Sequence, residues 1–165
     1  ARWMMSDLDA AIRAVYQKDY DFLDEFMTPK NSSEVDEDGR TLLMHAVLAS
    51  NADCEMVRFL IDHGVPVNAP DADQKWTALH FAAREKRSDI VDLLLRTGAD
   101  VNAVEVFGNT PLARSLDSVP FDRRTIELLI RAGADPEHRN RHGKSPLDVA
   151  RLMKNKDLES LLLSN

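Results

Sequence analysis

At 165 residues, with a formal net charge of −7 and one cysteine, the chain is one domain's worth of sequence. Lone Cys54 excludes an internal disulfide scaffold and a cysteine-built zinc cluster. No apolar run approaches the roughly 20 residues of a membrane span and the start lacks a signal-peptide core, so a soluble, cytoplasmic protein that engages no membrane is expected.

The acidic excess is one-sided: residues 1–70 hold 6 Lys or Arg against 13 Asp or Glu, while residues 71–165 hold 15 of each. Such a surface disfavours nucleic acid. It either steers a basic patch of a partner towards the N-terminal end or simply keeps the chain soluble.

In chain order, residues 1–5 read as a disordered start or an expression remnant, and Ser6 or Asp7 as the first helix cap. Ala10, Ala11, Ala14 and Val15 make one apolar stripe, and Tyr20, Phe22, Leu23, Phe26 and Met27 a second, with Thr28 to Lys30 ending the pair. Asn31 to Asp38 is a polar connection. Thr41 then caps a helix, and Met56, Val57, Phe59, Leu60 and Ile61 mark its partner, closed by Gly64 after a two-residue insertion near Ser50 to Asp53. The stretch Thr77–Asn102 is the most regular: Leu79, Phe81, Ala82 and Ala83 form one stripe and Ile90, Val91, Leu93, Leu94 and Leu95 the next, between a Thr77 cap and a left-handed turn at Gly98. Thr110 to Gly133 repeats the plan with an insertion around Asp117 to Asp122 that holds Pro120. Ser145 to Asn165 repeats it again in a polar form with no closing glycine.

Thr41, Thr77, Thr110 and Ser145 are 36, 33 and 35 residues apart, and Gly64, Gly98 and Gly133 are 34 and 35 apart. Thr77, Leu79, His80 and Ala82 fit the Thr-Pro-Leu-His-x-Ala signature, and Gly98 to Asn102 fit a Gly-Ala-Asp-x-Asn ending, so the chain resembles the ankyrin-repeat family. The resemblance implies an all-α repeat solenoid: about five helix-turn-helix units, three internal repeats between N- and C-terminal caps, with projecting β-turn or hairpin fingers. Residues 6–165 then form one repeat domain, with units at about 6–30, 36–69, 70–103, 104–137 and 138–165. Helix pairs this short need neighbours to bury both stripes.

Catalysis finds little support. His80 matches the signature histidine, which in this family bonds within its own turn and to the next loop. His45 falls on the groove side of its helix or its margin, with a surface role open to it. His138 and His142 are four apart, but Pro136 and Gly143 put them in a turn rather than on one helix. A metal-dependent hydrolase at that pair is the alternative reading, and a self-associating structural repeat is another. No phosphate loop, nucleophile elbow or spaced acid pair occurs, so no cofactor and no catalytic residue is expected. Asn68 and Asn102 stand where family members use asparagine to tie the loop.

The resemblance also implies where a protein partner sits. The fingers carry Glu37, Asp38 and Arg40, then Asp73, Gln74 and Trp76, then Val106, Phe107 and Asn109, and finally Arg141, His142 and Lys144. The palm of first helices adds Ala49, Arg84, Glu85, Asp117 and Ser118. Trp76 and Phe107 read as exposed apolar anchors of an interface, with the alternative that Trp76 folds back to seal its own irregular turn. On the anchor reading, Trp76→Ala with Phe107→Ala abolishes binding and leaves thermal stability unchanged. The expected activity is non-catalytic binding by a monomeric inhibitor, adaptor or immunity-type protein. Its partner would present an apolar knob flanked by basic and acidic patches.

Overall fold

Short polar side chains start nearly every helix. The computed structural model describes residues 6–164, so the expectation of a disordered start at 1–5 lies outside the described residues. Ser6 caps α1 (Asp7–Gln17) in a capping box with Asp9, and Asp19 caps α2 (Tyr20–Phe26). Thr41 caps α3 (Leu42–Leu48), Asp53 caps α4 (Cys54–Asp62) and Thr77 caps α5 (Ala78–Arg84). The next helix, α6 (Ser88–Arg96), has no side-chain cap. Thr110 caps α7 (Pro111–Arg114), Asp122 caps α8 (Arg123–Arg131), Ser145 caps α9 (Pro146–Leu152) and Asn155 caps α10 (Lys156–Leu162). Each such oxygen satisfies an amide that the helix itself leaves unpaired.

The ten helices among the described residues form five antiparallel pairs in two layers. First helices stack α1 on α3 on α5 on α7, and second helices α4 on α6 on α8 on α10. Leu43, Leu60, Leu79, Ile90, Leu94, Leu112, Ile126 and Leu129 are fully buried along the ribbon between the layers. Each contributes about 1.5–3 kcal/mol, gained only when the neighbouring unit is in place. Gly98 follows α6 with φ +99°, and the turn is closed by a hydrogen bond from the Ala99 N–H to the Leu94 carbonyl, at 2.9 Å. Both insertions lie between the helices of a pair, at Ala49–Asp53 and Ser115–Asp122, where they lengthen a loop without disturbing the core.

Asn68 and Asn102 stitch consecutive units together. The Asn68 amide donates to the Gly98 carbonyl (2.9 Å) and its oxygen accepts from the Asp100 amide (2.7 Å). Asn102 does the same to Gly133 and Asp135, both at 3.0 Å. No helix among the described residues is long and apolar enough to cross a membrane.

Candidate functional site

Four turns project between the units, built on one device that the spacing of caps and glycines did not reveal. Asp36, Asp71, Glu105 and Asn140 each open a turn and accept two of its amides on one side-chain oxygen. The turns are also tied to one another: the Ala72 amide donates to Asp38, Val106 to Gln74 and Arg141 to Phe107, at 2.8–2.9 Å. Asp36, Glu105 and Asn140 span four residues to the end of their turn, but Asp71 spans five to Trp76. Lys75 takes up the extra residue with φ +63°, which gives the irregular second finger its physical form.

Histidines brace this edge. His80 accepts the Thr77 amide on Nδ1 (3.1 Å), so its Nε2–H donates to the Asn109 carbonyl (3.0 Å). Burial, against the pull of that bond and of the Glu105 charge, lowers the His80 pKa and keeps the ring neutral. His45 is buried, not on the surface: Nε2 meets Asp36 Oδ2 at 2.7 Å and Nδ1 meets the Tyr16 hydroxyl at 3.0 Å. Burial raises the Asp36 pKa, but the hydrogen bonds donated by the Arg40 and Asp38 backbone N–H groups and the His45 contact outweigh it and hold the carboxyl below its ordinary value. His138 bonds the Gly108 carbonyl through Nε2, whereas His142 is exposed on the fourth finger. Among the described residues no group of three or more His, Cys, Asp or Glu side chains is arranged to hold a metal.

Counted from each cap, three positions form rows across the face made by the fingers and first helices. Arg40, Trp76, Asn109 and Lys144 precede the caps; His45, Phe81, Arg114 and Val149 follow four residues on; Leu48, Arg84, Asp117 and Leu152 follow at seven. The middle of this grid is an aromatic pair clasped by arginines. Trp76 and Phe81 have ring centres 5.0 Å apart; Arg84 lies 4.8 Å from the centre of the Trp76 ring, Arg114 4.6 Å, and Arg40 lies 5.7 Å from that of Phe81. Trp76 is consequently only 4% exposed. The exposed-anchor expectation fails for it, and what covers the ring is arginine from the palm rather than its own turn alone. Ala49 is likewise buried and offers no contact surface.

The remaining expected residues divide by exposure. Phe107 is 46% exposed, and Glu37, Asp38, Asp73, Gln74, Glu85, Asp117, Ser118, Arg141, His142 and Lys144 are exposed as well. Arg40, Arg84, Val106 and Asn109 are half-buried. Phe81, Arg114 and buried Glu105 belong to the same face and escaped the sequence reading. The row four residues past each cap holds the first two of them.

Comparison with known proteins agrees with this architecture. The family model for ankyrin repeats (3 copies) matches residues 11–105. Serine/threonine-protein kinase 12 of Arabidopsis thaliana is 36% identical over 112 residues, which is 68% of this chain and 22% of that protein. The 2-5A-dependent ribonuclease of Homo sapiens is 43% identical over 70 residues, 42% of this chain and 9% of that protein. NF-kappa-B inhibitor zeta of Homo sapiens is 35% identical over 100 residues, 58% of this chain and 14% of that protein. The chain thus spans between 9% and 22% of the length of these relatives.

Proposed function

The chain belongs to the ankyrin-repeat family, and from that premise we propose that it acts by binding a protein partner on its finger-and-palm face and not by catalysis. The observation that carries this reading is Phe107, a large apolar side chain 46% exposed at the tip of the third finger, where no packing role accounts for it. Around it lie the exposed acids of the first two fingers, Glu37, Asp38 and Asp73, and the exposed bases of the last, Arg141 and Lys144. A partner with a basic patch, an apolar contact and an acidic patch in that order complements them, and the charges set encounter rate and orientation more than affinity. Such binding suits a cytoplasmic inhibitor, adaptor or immunity-type protein.

The test is affinity capture from the native source, run in parallel with the parent chain, Phe107→Ala, and Arg58→Ala on the outer side of α4. A protein held by the parent and by Arg58→Ala and lost with Phe107→Ala is the expected result. Capture unaffected by Phe107→Ala, or lost equally in both variants, would remove the assignment of this face.

A further inference from the structure

We infer that the cleft between Arg40 and Arg84 is a subsite for a carboxylate side chain, a glutamate or aspartate of the bound protein. This rests on the finger-and-palm face being the binding face, and it names the chemistry read there.

The argument turns on how the three arginines of the grid use their planes. A guanidinium can stack its face on a ring while its edge donates in-plane hydrogen bonds, and that edge matches a carboxylate in two-point geometry. Arg114 stacks on Trp76 and gives Nη2 to Glu105 (2.9 Å) and Nη1 to Asp117 (3.3 Å). Arg84 stacks on Trp76 and Phe81 and gives Nε and Nη2 to Glu85. Arg40 stacks on Phe81 in the same way, but no carboxylate among the described residues pairs with it: its Nε–H, like that of Arg114, is buried without an acceptor, and its Nη groups are left to solvent. The face of Arg40 is thus satisfied and its edge is not.

Arg40 borders a cleft of about 250 Å³ whose lining also includes Arg84, Trp76 and Phe81. This lies below the roughly 300–1,000 Å³ of small-molecule sites, so it fits one side chain and not a cofactor. Asp71 also lines the cleft, but its Oδ1 is committed to the Gln74 and Trp76 amides, at 3.2 and 2.9 Å. Exposed Asp73 at the margin is screened by water. A single negative charge between two arginines is favoured there.

The probe is a blocked Gly-Glu-Gly tripeptide, whose only charge is the side-chain carboxylate, titrated into the 165-residue chain. Arginine Nε–H resonances are followed by NMR, with Trp76 emission read in a Trp3→Phe background, since Trp3 and Trp76 are the two tryptophans of the sequence. The expected result is saturable movement of the Arg40 resonance and of Trp76 emission with the Glu peptide, at least about tenfold weaker with the Gln analogue and no tighter with inorganic phosphate. Arg40→Ala and Arg40→Lys should each weaken the Glu peptide by a similar factor, the second keeping charge and stem should the first fail to fold. Equal response to the Gln peptide, tighter binding of phosphate, or full binding by Arg40→Lys would overturn the carboxylate assignment. A natural partner lost with Phe107→Ala but indifferent to Arg40→Ala would remove this subsite and leave the binding face standing.

Discussion

The Arg114 guanidinium lies 4.6 Å from the centre of the Trp76 ring and is held there by Glu105, whose Oε2 accepts from Nη2 at 2.9 Å. Glu105 is 3% exposed, and its other oxygen accepts the Phe107 and Asn109 amides that shape the third finger. One chain of contacts therefore runs from the tryptophan of the second finger, through the palm of the fourth unit, to the finger that carries Phe107. Charge-assisted bonds to a buried carboxylate are stronger than their exposed counterparts, so this link fixes the spacing between adjacent fingers.

Because Trp76 is enclosed, Trp76→Ala should lower unfolding stability by about 3 kcal/mol or more in urea titration, as large-to-small changes in a packed site do. Trp76→Phe should cost far less. The indole Nε1–H is buried without an acceptor, and removing an unsatisfied donor recovers about 1–3 kcal/mol against the lost ring volume. A loss with Trp76→Phe as large as with Trp76→Ala would show that the indole nitrogen has a partner.

Phe107 should behave in the opposite way. Its truncation to alanine is expected to change stability by no more than about 0.5 kcal/mol, as for exposed positions without a structural duty. Partner affinity should fall by about 2 kcal/mol or more, read by calorimetry once a partner is in hand. A drop in thermal midpoint that parallels the loss of binding would instead place the ring in the finger's own packing.

These two aromatics show how far the sequence can be read. The spacing of Thr41, Thr77, Thr110 and Ser145 and of Gly64, Gly98 and Gly133 determines the helix pairs, because caps and left-handed turns are local chemistry. His80 was legible for the same reason, since its bonds run to its own cap and to the next finger. Trp76 was not: its burial depends on Arg84 from the same unit and Arg114 from the following one, and a period-based reading cannot tell which long side chain will fold over a ring. His45 eluded the reading likewise, since its partners Tyr16 and Asp36 sit on other elements. Exposure along a solenoid is decided by neighbouring units.

Asn68 and Asn102 bear on cooperativity between those units. Each amide satisfies a carbonyl and an amide of the next turn, so Asn68→Ala leaves the Gly98 carbonyl and the Asp100 amide without their partner. Exposure of these groups lets water replace part of the loss, and about 1–2 kcal/mol is expected for either asparagine in urea unfolding. The double variant should show a broadened transition, because nearest-neighbour coupling is what makes a repeat array unfold as one. A sharp transition at unchanged midpoint would show that the side-chain ties are dispensable.

His80 gives the array a pH dependence whose sign follows from its bonds. The ring is neutral with Nδ1 accepting from Thr77, so protonation would set a donor against a donor. Burial lowers its pKa from the ordinary 6.5, against the opposing Asn109 bond and Glu105 charge. Below about pH 6.5 the unfolded chain takes up a proton that the folded chain refuses, and stability is lost as pH falls from there towards the folded pKa, with a slope of at most about 1.4 kcal/mol per pH unit. His63 works against this trend. Its bond to the Phe59 carbonyl, and after the opposing effect of burial the Asp24 contact, raise its pKa. It therefore stabilises below the unfolded value of 6.5, and that contribution fades as pH rises through its folded pKa. In His63→Gln the stability gained as pH falls from the folded His63 pKa to 6.5 should disappear, while the acid-side loss between pH 6.5 and 5, a window above the range where ordinary carboxylates titrate, keeps its slope. In His80→Gln it should flatten, at a lower overall stability. Equal slopes in all three chains, on both sides of pH 6.5, would mean that neither ring is perturbed by the fold.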